Sequence, residues 1–135
     1  MTHRMSQRIF LARTLLFGAI VVVLAACTGS SDPARVVELY YRAIVEKDRS
    51  GFSELICPAW EADATLEFDS FGAVEASLES VSCEQTGSDG DYTLVTCQGA
   101  IEVIYQGEDT RLFSLEDNTY RVLQSDGEWQ MCGYH

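Results

Sequence analysis

The spacing of apolar residues changes once along this chain, at Gly72, and that change limits the folds open to it. Before Gly72, Val36, Val37, Tyr40, Tyr41, Ile44 and Val45 recur at intervals of three and four, with Glu38, Arg42 and Glu46 between them. That is the period of a helix with one broad apolar face. After Gly72 the period is two. Val74, Ala76 and Leu78 alternate, and Val81 to Cys83 extends the same strand. From Tyr92 to Tyr105, the residues Thr93, Val95, Cys97, Ile101, Val103 and Tyr105 share one face of a long strand, while Thr96, Gln98 and Glu102 share the other. Helices first and strands afterwards define an α+β chain, in which helices cover one face of an antiparallel sheet.

Local signals set the element ends. Asp32-Pro33 pairs a capping side chain with a proline at the first helical position, which predicts a helix over 33–47. A short helix around Phe52, Leu55 and Ile56 stops at Pro58, and Trp60 to Phe68 is a third helical segment. Gly87-Ser88-Asp89-Gly90, Gln106 to Asp109, Glu116 to Asn118 and Asp126-Gly127 mark turns of a meander. Its later strands are predicted at 110–115, 119–124 and 128–132. Gly99, inside the long strand, marks a bend or bulge. On alternation, Thr93, Val95, Ile101 and Val103 face the core, and Gln98 and Glu102 face solvent.

The first 31 residues follow different rules. Arg4, Arg8 and Arg13 precede an unbroken run from Leu15 to Ala26 in which every residue is apolar or glycine, and no acid occurs before Asp32. This is the arrangement of an export signal. A spanning helix needs about 20 apolar residues, more than this run supplies. The run ends in Leu24-Ala25-Ala26-Cys27, which resembles the bacterial lipoprotein signal. That resemblance implies cleavage before Cys27 and diacylglycerol on its sulfur. Two or three acyl chains anchor stably where one does not. The reading divides the chain into a signal at 1–26, a lipidated cysteine and short tether at 27–32, and a folded domain at 33–135. It places that domain on the extracytoplasmic side of a cell membrane.

Apart from Cys27, Cys57, Cys83, Cys97 and Cys132 remain. Four cysteines in an exported domain point to two disulfides, with three pairings to choose from. Cys83 and Cys97 flank the turn near Gly90, which suits a bridge across a hairpin, and Cys57 is left with Cys132. No two of the four lie closer than fourteen residues, unlike the close-set pairs of zinc sites. No metal or other cofactor is expected.

Charge narrows the partners. The chain has 21 acids against nine lysines and arginines. Three of those arginines lie in the signal, so the part from Cys27 onward carries six basic residues and a net charge of about −15. Nucleic acid is excluded as a partner, because no basic patch is present to neutralise phosphates.

The segments Val36 to Ile44, Asp48 to Cys57, Val95 to Ile101, Tyr120 to Val122 and Asp126 to Cys132 resemble the nuclear transport factor 2-like superfamily, in particular small lipoproteins of that fold. The resemblance implies a curved antiparallel sheet wrapped around the first helix, with a pocket inside the cone. Tyr40, Tyr41, Ile44, Trp60, Tyr105 and Trp129 are the candidate pocket residues. Enzymes of this fold place Asp, His or Tyr in the cone. Here His135 is the one histidine after the signal, and it is terminal. Asp63 and Glu67 fall on one helix face, with Asp69 nearby, a pattern that reads first as a solvated surface. No catalytic residue is assigned. The function expected is non-catalytic binding of a small apolar ligand or an envelope protein by a membrane-anchored domain. The alternative is an isomerase or hydratase using a Tyr/Asp pair in the cone.

Overall fold

The computed structural model describes residues 32–105 and 109–135. The signal run, Cys27 and the Gln106–Glu108 part of one expected turn lie outside the described residues. The order of elements is α1 (Pro33–Glu46), α2 (Arg49–Glu54), a 3₁₀ turn (Pro58–Trp60), α3 (Glu61–Ser70), then β1 (Glu75–Asp89), β2 (Tyr92–Tyr105), β3 (Asp109–Ser114), β4 (Thr119–Ser125) and β5 (Glu128–Tyr134). It is a mixed α+β domain with a five-stranded antiparallel sheet.

The α1 helix starts where Asp32 accepts a hydrogen bond from the Ala34 amide at 2.9 Å, with Pro33 in the first turn. It ends at Lys47, whose left-handed φ of 58° lets the amides of Lys47 and Asp48 reach back to the carbonyls of Ile44 and Ala43. Its buried stripe of Val36, Val37, Tyr40, Tyr41 and Ile44 packs against β1, β2, β4 and β5. Tyr40, Val36 and Val37 are fully buried. Asp48 then caps α2 by accepting from the Gly51 amide.

The long β2 strand is the centre of the sheet. One side pairs along its whole length with β1. The other side is divided: Thr93 to Thr96 pair with β4, and Ala100 to Tyr105 pair with β3. The division falls at Gly99, which has a φ of 93°. A Cβ there would come within 2.6 Å of the Glu79 and Ser80 carbonyl oxygens, so only glycine fits. The extra residue of this bulge lies on β1, where Ser80 takes a φ of 53° and three steps from Glu79 to Ser82 oppose two from Ala100 to Gln98. Alternation in β2 therefore continues unbroken: Val95, Cys97, Ile101 and Val103 are buried, and Gln98 is exposed. In β1 the inward parity flips instead, from Ala76 and Leu78 to Val81 and Cys83. Two expectations need adjustment. Thr93 and Glu102 are both half-buried, because β2 is flanked by strands on both sides. The first hairpin turn is Gly90-Asp91, not Gly87 to Gly90, because β1 stays paired as far as Asp89 opposite Tyr92.

Disulfides join Cys83 to Cys97 and Cys57 to Cys132. The first links facing positions of β1 and β2. The second lies beside a parallel bridge between Ile56 and Met131. There the Cys57 amide donates to the Met131 carbonyl at 2.9 Å, and the Met131 amide donates to the Leu55 carbonyl at 2.7 Å. A short extended segment between α2 and the 3₁₀ turn is thereby stitched to β5.

Candidate functional site

Where the upper half of β2 turns away from β4, the space between sheet and helices is not filled. A cavity of about 350 Å³ lies there. Its floor is Ile101 and Val103 on β2. Phe71 and Val74 close it from the segment after α3, and Phe113, Ser114 and Leu115 from β3 and its end. Tyr41 of α1, Tyr105 of β2 and Tyr134 of β5 add aromatic rings; Ser70 and Asn118 add polar groups. Among the described residues, the single charged side chain of the lining is Glu67 of α3.

Four tyrosines surround Glu67 or its neighbours. The Tyr40 hydroxyl donates to Glu67 Oε2 at 2.6 Å. Tyr134 interacts with the same carboxylate from the last strand. The Tyr41 hydroxyl donates to that of Tyr120 at 3.4 Å, which in turn donates to the Leu115 carbonyl at 3.3 Å. The rings meet edge-on, with Tyr41 5.2 Å from Tyr40 and 5.8 Å from Tyr120. Burial raises the carboxyl of Glu67 above its ordinary range, and the Tyr40 and Tyr134 hydroxyls offset part of that rise by favouring the anion. Burial, followed by the Glu67 charge, holds Tyr40 and Tyr41 well above the usual phenol range. The same two causes push Tyr134 up to about 12. Among the described residues no lysine or arginine pairs with Glu67; the ion pairs are Arg35–Glu38 and Arg49–Asp69.

Of the six pocket residues expected from sequence, Tyr41 and Tyr105 line the cavity. Tyr40 and Ile44 are buried in the core behind it. Trp60 packs on Tyr134 with ring centroids 5.7 Å apart and lies against Gly133. Trp129 is on β5, opposite Gln124, partly buried against the core. His135 is exposed, and its backbone pairs with Thr119 through both amides. Asp63 and Asp69 are exposed, but Glu67 is not part of a solvated face. The Tyr/Asp pair of the enzymatic alternative has a Tyr/Glu counterpart here, Tyr40 with Glu67. A signal for Glu67 existed: Ala64, Phe68 and Phe71 form an i, i+4, i+7 stripe, and Glu67 holds its i+3 position. No group of three or more His, Cys, Asp or Glu among the described residues could hold a metal ion. No described helix is long and apolar enough to cross a membrane.

No protein-family model matches the chain, and no curated protein does. Among solved structures, it is similar to the solution structure of a SEC-C motif containing protein from Rhodopseudomonas palustris. The TM-score is 0.53 and the identity 13%, over 79% of this chain and 80% of that one. At that identity the likeness is one of fold. It corrects the family resemblance drawn above: this neighbour is a SEC-C motif protein, and no family model supports a nuclear transport factor 2-like or a lipoprotein family. The physical reason is that the resembling segments encode an amphipathic helix and alternating strands. Those periods set element type, and many α+β topologies share them.

Proposed function

We propose that the chain is exported, held by lipid on Cys27 at the extracytoplasmic face of a cell membrane, and that its domain binds a small, largely apolar molecule without catalysis. The observation that carries the binding half is the cavity: about 350 Å³ of space with walls of Ile101, Val103, Val74, Phe71 and Leu115, in a domain whose other half is filled. Ligand sites combine apolar walls with a few converging polar groups, here Glu67, Ser70 and Asn118. The anchoring half rests on the residues from Arg4 to Cys27.

A second reading, acid–base chemistry by Glu67, draws on the raised carboxyl beside Tyr40 and Tyr134. It is the weaker one, since Tyr40 already occupies one carboxylate oxygen at 2.6 Å. Calorimetric titration of the full chain in phospholipid nanodiscs with 4-phenylbutanol tests the binding reading, with empty nanodiscs as reference. Saturable binding is expected, and Val103→Trp, which fills the cavity floor, is expected to abolish it while circular dichroism stays native. Binding that survives the filled cavity would overturn the assignment of the site. Mass spectrometry of the mature amino terminus tests the anchor: acyl mass on Cys27 is expected, and a terminus elsewhere without lipid would refute it.

A further inference from the structure

We propose that the ligand this cavity selects is a small organic ammonium: an apolar body carrying a protonated amine, seated with its nitrogen between Glu67 and the tyrosine rings. The inference rests on the binding reading above and gives it a chemical class. Three observations carry it.

First, Glu67 is the one charged side chain in the lining, and no lysine or arginine pairs with it among the described residues. A half-buried carboxylate without a cationic partner is costly, and a ligand cation supplies the missing charge. Tyr40 and Tyr134 are its two hydroxyl partners, and a carboxylate can accept about four hydrogen bonds, so it keeps acceptor capacity for an N–H donor.

Second, the walls are aromatic as well as apolar. Tyr41, Phe71, Tyr105, Phe113 and Tyr134 all contribute to the lining. Aromatic faces around a carboxylate attract ammonium groups through the ring quadrupole, and quaternary and alkylated amines are bound in such surroundings. One of these rings already holds a cation: the Arg111 guanidinium lies 5.5 Å from the Tyr105 centroid. Arg111 is opposite Val103 on β3, an exposed strand, and is not among the lining residues.

Third, the long-range field favours cations. The chain is formally −12 as a whole, and a negative field concentrates positive ligands and repels carboxylates and phosphates. The same features therefore select against fatty acids and phosphorylated metabolites.

The test is a matched series that changes only the head group: 4-phenylbutylamine, 4-phenylbutanol and 4-phenylbutyrate, titrated calorimetrically into the full chain in nanodiscs of zwitterionic lipid at neutral pH. The amine is expected to bind at least about tenfold more tightly than the alcohol, equivalent to about 1.4 kcal/mol, and the carboxylate is expected to bind more weakly than either. In Glu67→Gln, which keeps the side chain's shape, amine and alcohol are expected to converge within about twofold. Amine and alcohol of equal affinity in the native chain would overturn the ammonium assignment and leave the cavity reading standing. A preference that persists undiminished in Glu67→Gln would overturn the role of Glu67. No binding by any member of the series would overturn both readings.

Discussion

The two halves of β2 meet opposite surroundings. From Thr93 to Cys97 it is clasped between β1 and β4, and the side chains beneath are fully packed: Val95, Tyr120, Val122 and Met131 have no solvent exposure. Both disulfides lie at this end. From Ala100 to Tyr105 it is flanked by β3, a strand with every residue exposed, and the space beneath holds the cavity. The same alternation of residues feeds both halves. What differs is the backbone at Gly99, where the strand's partner changes from β4 to β3. Stability is concentrated at one end of the sheet, which leaves the other free to be hollow.

The largest expected contrast concerns the cross-links. In the chain-entropy account, a loop of 75 residues closed by Cys57–Cys132 contributes about 4.5 kcal/mol and a loop of 14 closed by Cys83–Cys97 about 3 kcal/mol. Replacing each pair by alanine should lower denaturant stability in that order. The reverse order would show that the stitch between the Leu55–Cys57 segment and β5 matters less than the hairpin.

Side-chain truncation should separate the halves next. Met131→Ala, in the filled end, should cost about 2–5 kcal/mol. Leu112→Ala, on a residue 66% exposed in β3, should stay within about 0.5 kcal/mol. Equal losses in chemical denaturation would mean that β3 is covered in solution and that the contrast is wrong.

A smaller effect is the pH dependence of Glu67. Facing it or its neighbourhood are Tyr40 and Tyr41 from α1, Tyr120 from β4 and Tyr134 from β5, with Asp63 one turn away on α3. Its carboxyl is raised in the folded chain, so the folded state holds the proton more tightly than the unfolded one. The stability this contributes is present below the ordinary glutamate range and is lost as pH rises through the folded value. Glu67→Gln should flatten stability against pH across that window. An unchanged slope would place the carboxylate in water.

The smallest change is at the helix start. Asp32→Ala removes the side-chain acceptor for the Ala34 amide and should cost about 1 kcal/mol without altering ligand binding.

Much of the filled half was legible in the sequence. The Asp32-Pro33 start, the Val36–Ile44 stripe and the alternation of Val95 and Cys97 follow from local periods, and the same alternation runs on to Ile101 and Val103 in the open half. The rest of the open half was not. The bulge sits at Ser80, a residue with no intrinsic need for a φ of 53°; it is forced by the close approach of Gly99. Glu67 read as solvated because its charge outweighs its position on the Ala64–Phe68–Phe71 stripe, and burial depends on Tyr40, 27 residues earlier in the chain. The family was misjudged for a related reason: topology depends on which strand β2 leaves at Gly99, and no periodicity encodes that.

The central claim is that small molecules enter the open half and only the open half. Nuclear magnetic resonance of the methyl groups during titration with 4-phenylbutylamine tests it directly. The account predicts shifts at Ile101, Val103, Val74 and Leu115, which line the cavity, with Val95, Val122 and Met131 unmoved. Shifts spread evenly over both sets, or confined to the second, would contradict it.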